Sequence, residues 1–473
     1  MGKPFQKLQK PESYKPTNYQ KKVIRFCVGR GAAGVFLSPG LGKTSVMLSV
    51  FSSLQKANVA ETMLIIAPLI ICDTVWPKEI RKWKQFNHLT HTVLHGKDKE
   101  KLLYEDHDIY IINPEGLEWL CNKIKEDKFL KNKFDVLTID ESTKFKNSGS
   151  KRFKILKTIL GNFSRRYILT GTPIANNLMN IFSQAYILDL GRSLGPYITH
   201  FRNKYFYSTG YGGYTYLPMD GAEEEIYKQL KDLIIRMDSK DYLDLPPCVF
   251  VNKTFDLDEK TAKIYEEVEK DLISELSGDT VVALSKSVAV QKCRQIANGG
   301  IYLENFDNPN KRKTKQIHYK KAEICESIVE ELDGMPCLIV YEFHHDLERL
   351  VEKFGKKARV ISSKSTRQDK IKFEDDWNKG KIHVGIAQMT IVSHGLNLQG
   401  VQGALIEHSL TYDYEVDDQI IQRIYRNGQK HKTFVYRIIA NNTVDEDMVA
   451  TIERKEKNQN KFLELFKQRK GIK

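Results

Sequence analysis

Ser38-Pro39-Gly40-Leu41-Gly42-Lys43-Thr44 follows a short apolar run and opens a segment of helical pattern over 45–55. Glycines in such a loop let successive backbone N–H groups curl around phosphate oxygens, and the helix N-terminus adds the positive end of its dipole. The spacing lets Lys43 reach the β- and γ-phosphates of a nucleotide and offers the Thr44 hydroxyl to Mg²⁺. The full phosphate-loop pattern would have glycine at position 37, where this chain has Leu37. Further on, Ile139-Asp140-Glu141-Ser142 ends a second apolar run. Phosphoryl transfer to water needs a carboxylate in the metal shell and a group that orients the attacking water. Asp140 suits the first task and Glu141 the second. Arg423 and Arg426 stand three apart, so one face of a helix or tight turn presents both. Their planar, permanently charged forks suit the charge that develops on a γ-phosphate.

Positioning these groups calls for layered α/β frames. Two blocks of alternating strand-like and helix-like segments run over 19–189 and 322–441. In the first, strands are expected at 34–37, 63–67, 109–112, 136–139 and 166–169; in the second, at 337–341, 359–362, 382–386, 404–407 and 434–438. Such unbroken apolar runs suit parallel strands covered on both faces, where ligands bind beyond the carboxyl ends. The fold class is therefore α/β, with two doubly wound parallel-sheet domains and helical or hairpin insertions between them.

The intervening piece holds a Gly- and Tyr-rich segment, 205–216, with two open readings: tyrosines that stack on bases, or a glycine-turn hairpin whose aromatics pack across strands. A helical pattern follows over 260–276, and Lys311-Arg312-Lys313-Thr314-Lys315 reads as a linker or surface loop. His344-His345 lacks a further ligand at metal-binding spacing and reads as a non-metal pair.

The 473 residues exceed one hydrophobic core, and 74 Lys+Arg against 60 Asp+Glu give a formal net charge of +14. That balance fits a polyanionic partner such as nucleic acid, and equally fits solubility alone. Seven scattered cysteines with no C-x-x-C pair argue against a disulfide scaffold or zinc ribbon and fit a reducing cytosol. No apolar stretch is long enough to span a bilayer and no export signal opens the chain, so a cytoplasmic protein without membrane contact is expected.

The order of these pieces resembles the superfamily-two helicase-like ATPases, and within them the Swi/Snf-type DNA translocases, over about residues 15–450. Gly40-Leu41-Gly42-Lys43-Thr44 is similar to motif I, and Ile66-Ala67-Pro68-Leu69 with Trp76, Glu79 and Trp83 to motif Ia. Asp140-Glu141-Ser142-Thr143-Lys144-Phe145-Lys146-Asn147 resembles motif II, with Ser142 and Thr143 in place of the usual Ala-His. The most specific match is Leu169-Thr170-Gly171-Thr172-Pro173-Ile174-Ala175-Asn176-Asn177-Leu178, similar to motif III. Leu338-Ile339-Val340-Tyr341 resembles motif IV, Ser393-His394-Gly395-Leu396-Asn397-Leu398 motif V, and the stretch from Gln419 to Gln429 motif VI.

The resemblance implies two tandem RecA-like domains. It implies boundaries at 1–245 for the first, with an insertion near 190–245, then 246–320 for a helical insertion and basic linker, 321–445 for the second, and 446–473 for a basic helical tail. By the same likeness Gln20 reads adenine; Gly40, Leu41, Gly42, Lys43, Thr44 and Ser45 hold ATP; and Thr44 and Asp140 hold Mg²⁺. Lys43, Asp140, Glu141, Arg423 and Arg426 are then catalytic, and Thr170, Gly171, Thr172 and Gln419 couple hydrolysis to movement. Pro68, Gly395 and Asn397 approach a nucleic-acid backbone, with basic clusters at 144–154, 311–321 and 454–473 adding salt-dependent attraction or serving as solvated faces. The implied activity is nucleic-acid-stimulated ATP hydrolysis driving movement along duplex DNA, in a monomer of bacterial or phage origin. A strand-separating DNA or RNA helicase and a nucleotide-gated clamp with little turnover are the alternatives.

Overall fold

The computed structural model describes residues 11–174, 176–209, 215–274, 282–303, 313–398, 403–425, 429 and 432–467. The chain divides into two units, Met1–Leu243 with Lys457–Lys473, and Asp244–Glu456.

In the first unit the strands are β1 (Ala32–Leu37), β2 (Met63–Ile66), β3 (His91–Val93), β4 (Ile109–Ile112), β5 (Val136–Asp140) and β6 (Arg165–Thr170), then β7 (Phe206–Thr209), β8 (Thr215–Pro218) and β9 (Ile234–Met237). Seven of them form one sheet in the order β3-β4-β2-β5-β6-β1-β9, and every pairing is parallel. Alternate residues serve opposite faces. Phe36, Ile66, Ile112, Ile139 and Ile168 pack beneath helices Leu117–Glu126 and Asn180–Asp189, whereas Val35, Ile65, Ile111 and Leu169 pack beneath Asn18–Val28, Lys43–Lys56 and Leu69–Lys82. Burial on both faces is why these strands read as unbroken apolar runs, and each fully buried Ile, Leu or Val contributes about 1.5–3 kcal/mol.

The Gly- and Tyr-rich segment is built as an antiparallel pair, β7 with β8, in which Phe206 faces Pro218 and Thr209 faces Thr215. Tyr205 and Phe206 are buried against Phe201, and Arg202 lies over the Tyr216 ring at 4.8 Å. The described part therefore follows the hairpin reading; 210–214 lie outside the described residues.

The second unit contains β10 (Cys248–Phe255), the antiparallel pair β11 (Gly300–Leu303) and β12 (Lys313–Gln316), and β13 (Cys337–Tyr341), β14 (Ala358–Ile361), β15 (Val384–Gln388), β16 (Ala404–Glu407) and β17 (Thr433–Ala440). Its sheet runs β10-β17-β16-β13-β15-β14 and is parallel throughout. Two stretches differ from the sequence reading. Residues 248–255 form an edge strand of this sheet instead of belonging to an insertion, and 313–315 belong to β12 instead of a loop.

Lys321 also departs from expectation. Read as part of a surface basic cluster, it is fully buried, with Nζ 2.6 Å from Asp445 and 2.8 Å from Asn298 Oδ1. Asn298 and Ser409 donate to Asp346 Oδ2 at 3.0 and 2.8 Å, and Arg349 reaches Oδ1 at 2.8 Å. Side chains from five segments thus pair with one another in the interior, and such pairing is what makes buried charge tolerable. His345 and His408 sit in the same network, and burial pushes the His408 imidazole down to about 3, holding it neutral.

Candidate active site

In the first unit β5, β6 and β1 are neighbours, so the loops leaving their carboxyl ends share one edge of the sheet. Those loops carry Asp140-Glu141, Thr170-Gly171-Thr172 and the phosphate loop respectively. Phe36 faces Thr170 across β1 and β6, and Asp140 faces Leu169 across β5 and β6. The three motifs are therefore gathered by strand order alone.

The phosphate loop turns on Gly40 and Gly42, both at positive φ (84° and 79°), and Gly42 caps the helix Lys43–Lys56. At φ 79° a side chain would be strained, and a Cβ at Gly42 would also stand 2.6 Å from Gln20 Nε2, which would have to move. Gln20 is buried there. Its amide N–H donates to the Leu41 carbonyl at 3.1 Å, while its Oε1 accepts from Thr17 N–H at 3.0 Å and from the Tyr14 hydroxyl at 3.2 Å. Thr17 and Gln20 form a reciprocal cap on the helix Asn18–Val28, which locks the glutamine against the loop. Ser45 Oγ donates to the Gly42 carbonyl at 3.0 Å. Lys43 Nζ donates to the Leu37 carbonyl at 3.2 Å, folding the ammonium back over the loop.

Asp140 is 7 % exposed and accepts from the Trp76 indole N–H at 3.1 Å. Burial pushes its carboxyl up to about 6, and the neighbouring Glu141 adds to the rise, against the pull of Lys43 and the indole. Glu141 itself takes a left-handed backbone conformation, φ 56° and ψ 61°. For a residue with a Cβ this costs about 1–3 kcal/mol, a strain found where geometry serves chemistry. Gly171 closes the site from the third strand: a Cβ there would lie 3.1 Å from Pro39 Cδ, so the Thr-Gly-Thr loop rests directly on the phosphate loop. Thr172 N–H donates to Thr170 Oγ1 at 3.1 Å, and both threonines are buried.

In the second unit, helix Met389–Gly395 follows β15 and helix Tyr414–Ile424 follows β16. Arg423 joins them, donating from Nε to the Val392 carbonyl at 3.1 Å and from Nη2 to the Ser393 carbonyl at 2.6 Å. Arg437 on β17 fixes the second of these helices from below, with Nε on Glu407 at 2.9 Å and Nη2 on Asp417 at 3.1 Å. Gln419 is half-buried beside Glu415 at 3.5 Å. Asn397 N–H donates to Glu374 at 3.1 Å, and its carbonyl accepts from Asn378 at 2.7 Å. Gly395 is half-buried, as is Pro68, which caps the helix Leu69–Lys82 in the first unit. Arg426 lies outside the described residues.

A family model described as the SNF2-related domain matches residues 19–309. The chain belongs to the SNF2-related family. A second model, the helicase conserved C-terminal domain, matches residues 320–428. Protein p41 of Acyrthosiphon pisum secondary endosymbiont phage 1 is 30% identical over 475 residues, covering 97% of this chain and 100% of that protein. A Bacillus subtilis protein that bears the name ATP-dependent helicase/translocase is 23% identical over 439 residues, 88% of this chain and 45% of that protein, so the chain spans less than half of its length. The solved Sulfolobus solfataricus SWI2/SNF2 ATPase core in complex with dsDNA aligns over 98% of this chain and 97% of its own at 21% identity and a TM-score of 0.44. This SNF2-related chain is a nucleic-acid-dependent ATPase built on two tandem RecA-like domains. Among the described residues no helix is long and apolar enough to cross a membrane.

Within the SNF2-related site, strand order brings together Gly40 to Ser45, Asp140, Glu141 and Thr170 to Thr172, and Gln20 joins them through Leu41. Two residues escaped assignment from sequence. Trp76 belongs by resemblance to motif Ia, where sequence alone assigns it no role, yet it is the donor that holds Asp140. Gln184, on the helix Asn180–Asp189, stands behind Ser142 and carries no signal in the sequence, since a glutamine on a largely buried helix names no partner.

Proposed function

We propose that this SNF2-related ATPase is a motor that moves along duplex DNA. The reading is supported above all by the convergence of the phosphate loop, the Asp140-Glu141 pair and the Thr-Gly-Thr loop on one edge of a parallel sheet. The name helicase/translocase borne by the Bacillus subtilis relative points the same way. Lys43 and the loop amides hold the triphosphate, Gln20 meets the adenine, and Glu141 orients the attacking water. Arg423 and Arg426 answer the charge on the γ-phosphate, and Gln419 serves with Thr170, Gly171 and Thr172 in coupling. Pro68, Gly395 and Asn397 sit against the nucleic-acid backbone, where small polar groups and N–H donors position a strand without reading its sequence.

Mg²⁺ fits this donor set. Asp140 is a desolvated carboxylate beside a second carboxylate, and the upward push on it is what a nearby cation would relieve. Thr44 and Asp140 would hold the ion, which would supply positive charge against the phosphates. Monomeric action in the cytoplasm completes the proposal.

The test is steady-state ATP hydrolysis with duplex DNA, single-stranded DNA and RNA at equal nucleotide concentration. Duplex DNA should stimulate most, by at least about tenfold over the rate without nucleic acid. Strongest stimulation by RNA or by single strands would favour a strand-separating helicase, and a single slow turnover with saturating duplex would favour a clamp.

A further inference from the structure

Ser142 follows Glu141 directly and is fully buried, as is Gln184. The Ser142 hydroxyl donates to Gln184 Oε1 at 2.8 Å. The same amide turns both its N–H bonds the other way, to the Pro173 carbonyl at 2.6 Å and the Asn180 carbonyl at 3.0 Å. With both N–H groups committed to carbonyls, Oε1 has to be the acceptor, which fixes the amide orientation from its own contacts. One turn of the same helix adds a second hold, since Ser183 Oγ donates to the Lys146 carbonyl at 3.1 Å. Helix Asn180–Asp189 thus grips the acidic loop at Ser142 and at Lys146, and the loop after β6 at Pro173. The β6 loop in turn rests on the phosphate loop through Gly171 and Pro39. On its other side the acidic loop runs on into the helix Lys151–Lys157, whose Lys151, Arg152, Lys154 and Lys157 are all exposed.

We infer that Gln184 is a positioning residue that couples the loop bearing Glu141 to the loop bearing Thr170, Gly171 and Thr172, so that nucleic acid held at the basic 144–154 segment adjusts both together. A hydrogen bond without access to water has no solvent partner to replace it, so the two loops shift as a unit or lose the bond outright. Ser142 stands where the family resemblance calls for alanine, which carries no hydroxyl, so this link belongs to the chain's own departure from that motif. The inference rests on stimulation by nucleic acid and not on duplex preference or movement. It is therefore read with whichever nucleic acid stimulates the wild-type chain most, and a failure of the duplex ranking leaves it standing.

The experiment measures ATP turnover with and without that nucleic acid, together with the thermal midpoint, for Gln184→Met, Ser142→Ala and the double variant. Methionine keeps the length of glutamine and removes its hydrogen bonds; the double variant also removes the hydroxyl that would be orphaned, and carries the test should the single variant fold poorly. The ratio of stimulated to basal rate should fall at least about fivefold in Gln184→Met, with the basal rate within about twofold of wild type. The double variant should lose no more than Gln184→Met alone, because both changes cut one link. An unchanged ratio in the double variant with only a lowered midpoint would overturn the inference, leaving a structural filler. Parallel loss of basal and stimulated rates would overturn it too, since Gln184 would then serve only to hold Glu141.

Discussion

Glu141→Gln should lower stimulated ATP turnover by about 10²–10⁴-fold while nucleotide affinity stays within a few-fold of wild type. Glutamine has the shape of glutamate and keeps an acceptor oxygen, so the left-handed turn at φ 56° and the contacts of the following short helix remain available. What disappears is the group proposed to take a proton from the attacking water. In the proposed site, ground-state binding draws instead on the loop amides and on Lys43, neither of which the change touches. It also removes the like charge beside Asp140, one of the two causes that push that carboxyl up, so the aspartate becomes easier to ionise. The signature is therefore a fall in kcat with retained binding of a fluorescent ATP analogue. Turnover within tenfold of wild type would assign the water to another group.

Lys43→Ala should weaken ATP binding by at least about tenfold and bring turnover to background. A hydrogen bond to a charged group contributes about 1.5–3 kcal/mol, or roughly 10–150-fold in affinity, and the proposed role of the ammonium is to make such bonds to the phosphates. Its place on the Leu37 carbonyl, 3.2 Å away, shows how the side chain is stored within reach of the loop. The loss extends to Asp140, since Lys43 is the charge that opposes burial and Glu141 in setting that carboxyl. Arginine at position 43 should not restore activity, because a wide planar fork does not replace a compact ammonium inside a tight loop. Titration with the same analogue separates this variant from Glu141→Gln: one loses binding and the other keeps it. Wild-type affinity in Lys43→Ala would remove the lysine from the phosphate site.

Much of this was legible because buried parallel strands write themselves as unbroken apolar runs. Val136-Leu137-Thr138-Ile139 and Leu338-Ile339-Val340-Tyr341 are such runs, and both became strands covered on two faces. Edge strands are less visible. In β10 exposed and half-buried residues alternate along Cys248–Phe255, and β12 is Lys313-Thr314-Lys315-Gln316, so neither pattern separates from a loop by composition. The phosphate loop was legible because its glycines and lysine must be adjacent in sequence to work. Partnerships between distant segments left no such trace. Trp76 finds Asp140, and Ser142 finds Gln184, only after strand order has brought their segments together. Lys321 sits in a lysine-rich stretch and reads as a solvated cation until Asp445, on another helix, closes over it.

The central claim is movement along duplex DNA driven by ATP, and displacement of a fluorescent third strand bound to a DNA duplex measures it most directly. The full chain with ATP should release the third strand faster than it dissociates alone, while ADP, or Glu141→Gln with ATP, should give only the spontaneous rate. Vigorous duplex-stimulated hydrolysis with no acceleration of release would contradict the account.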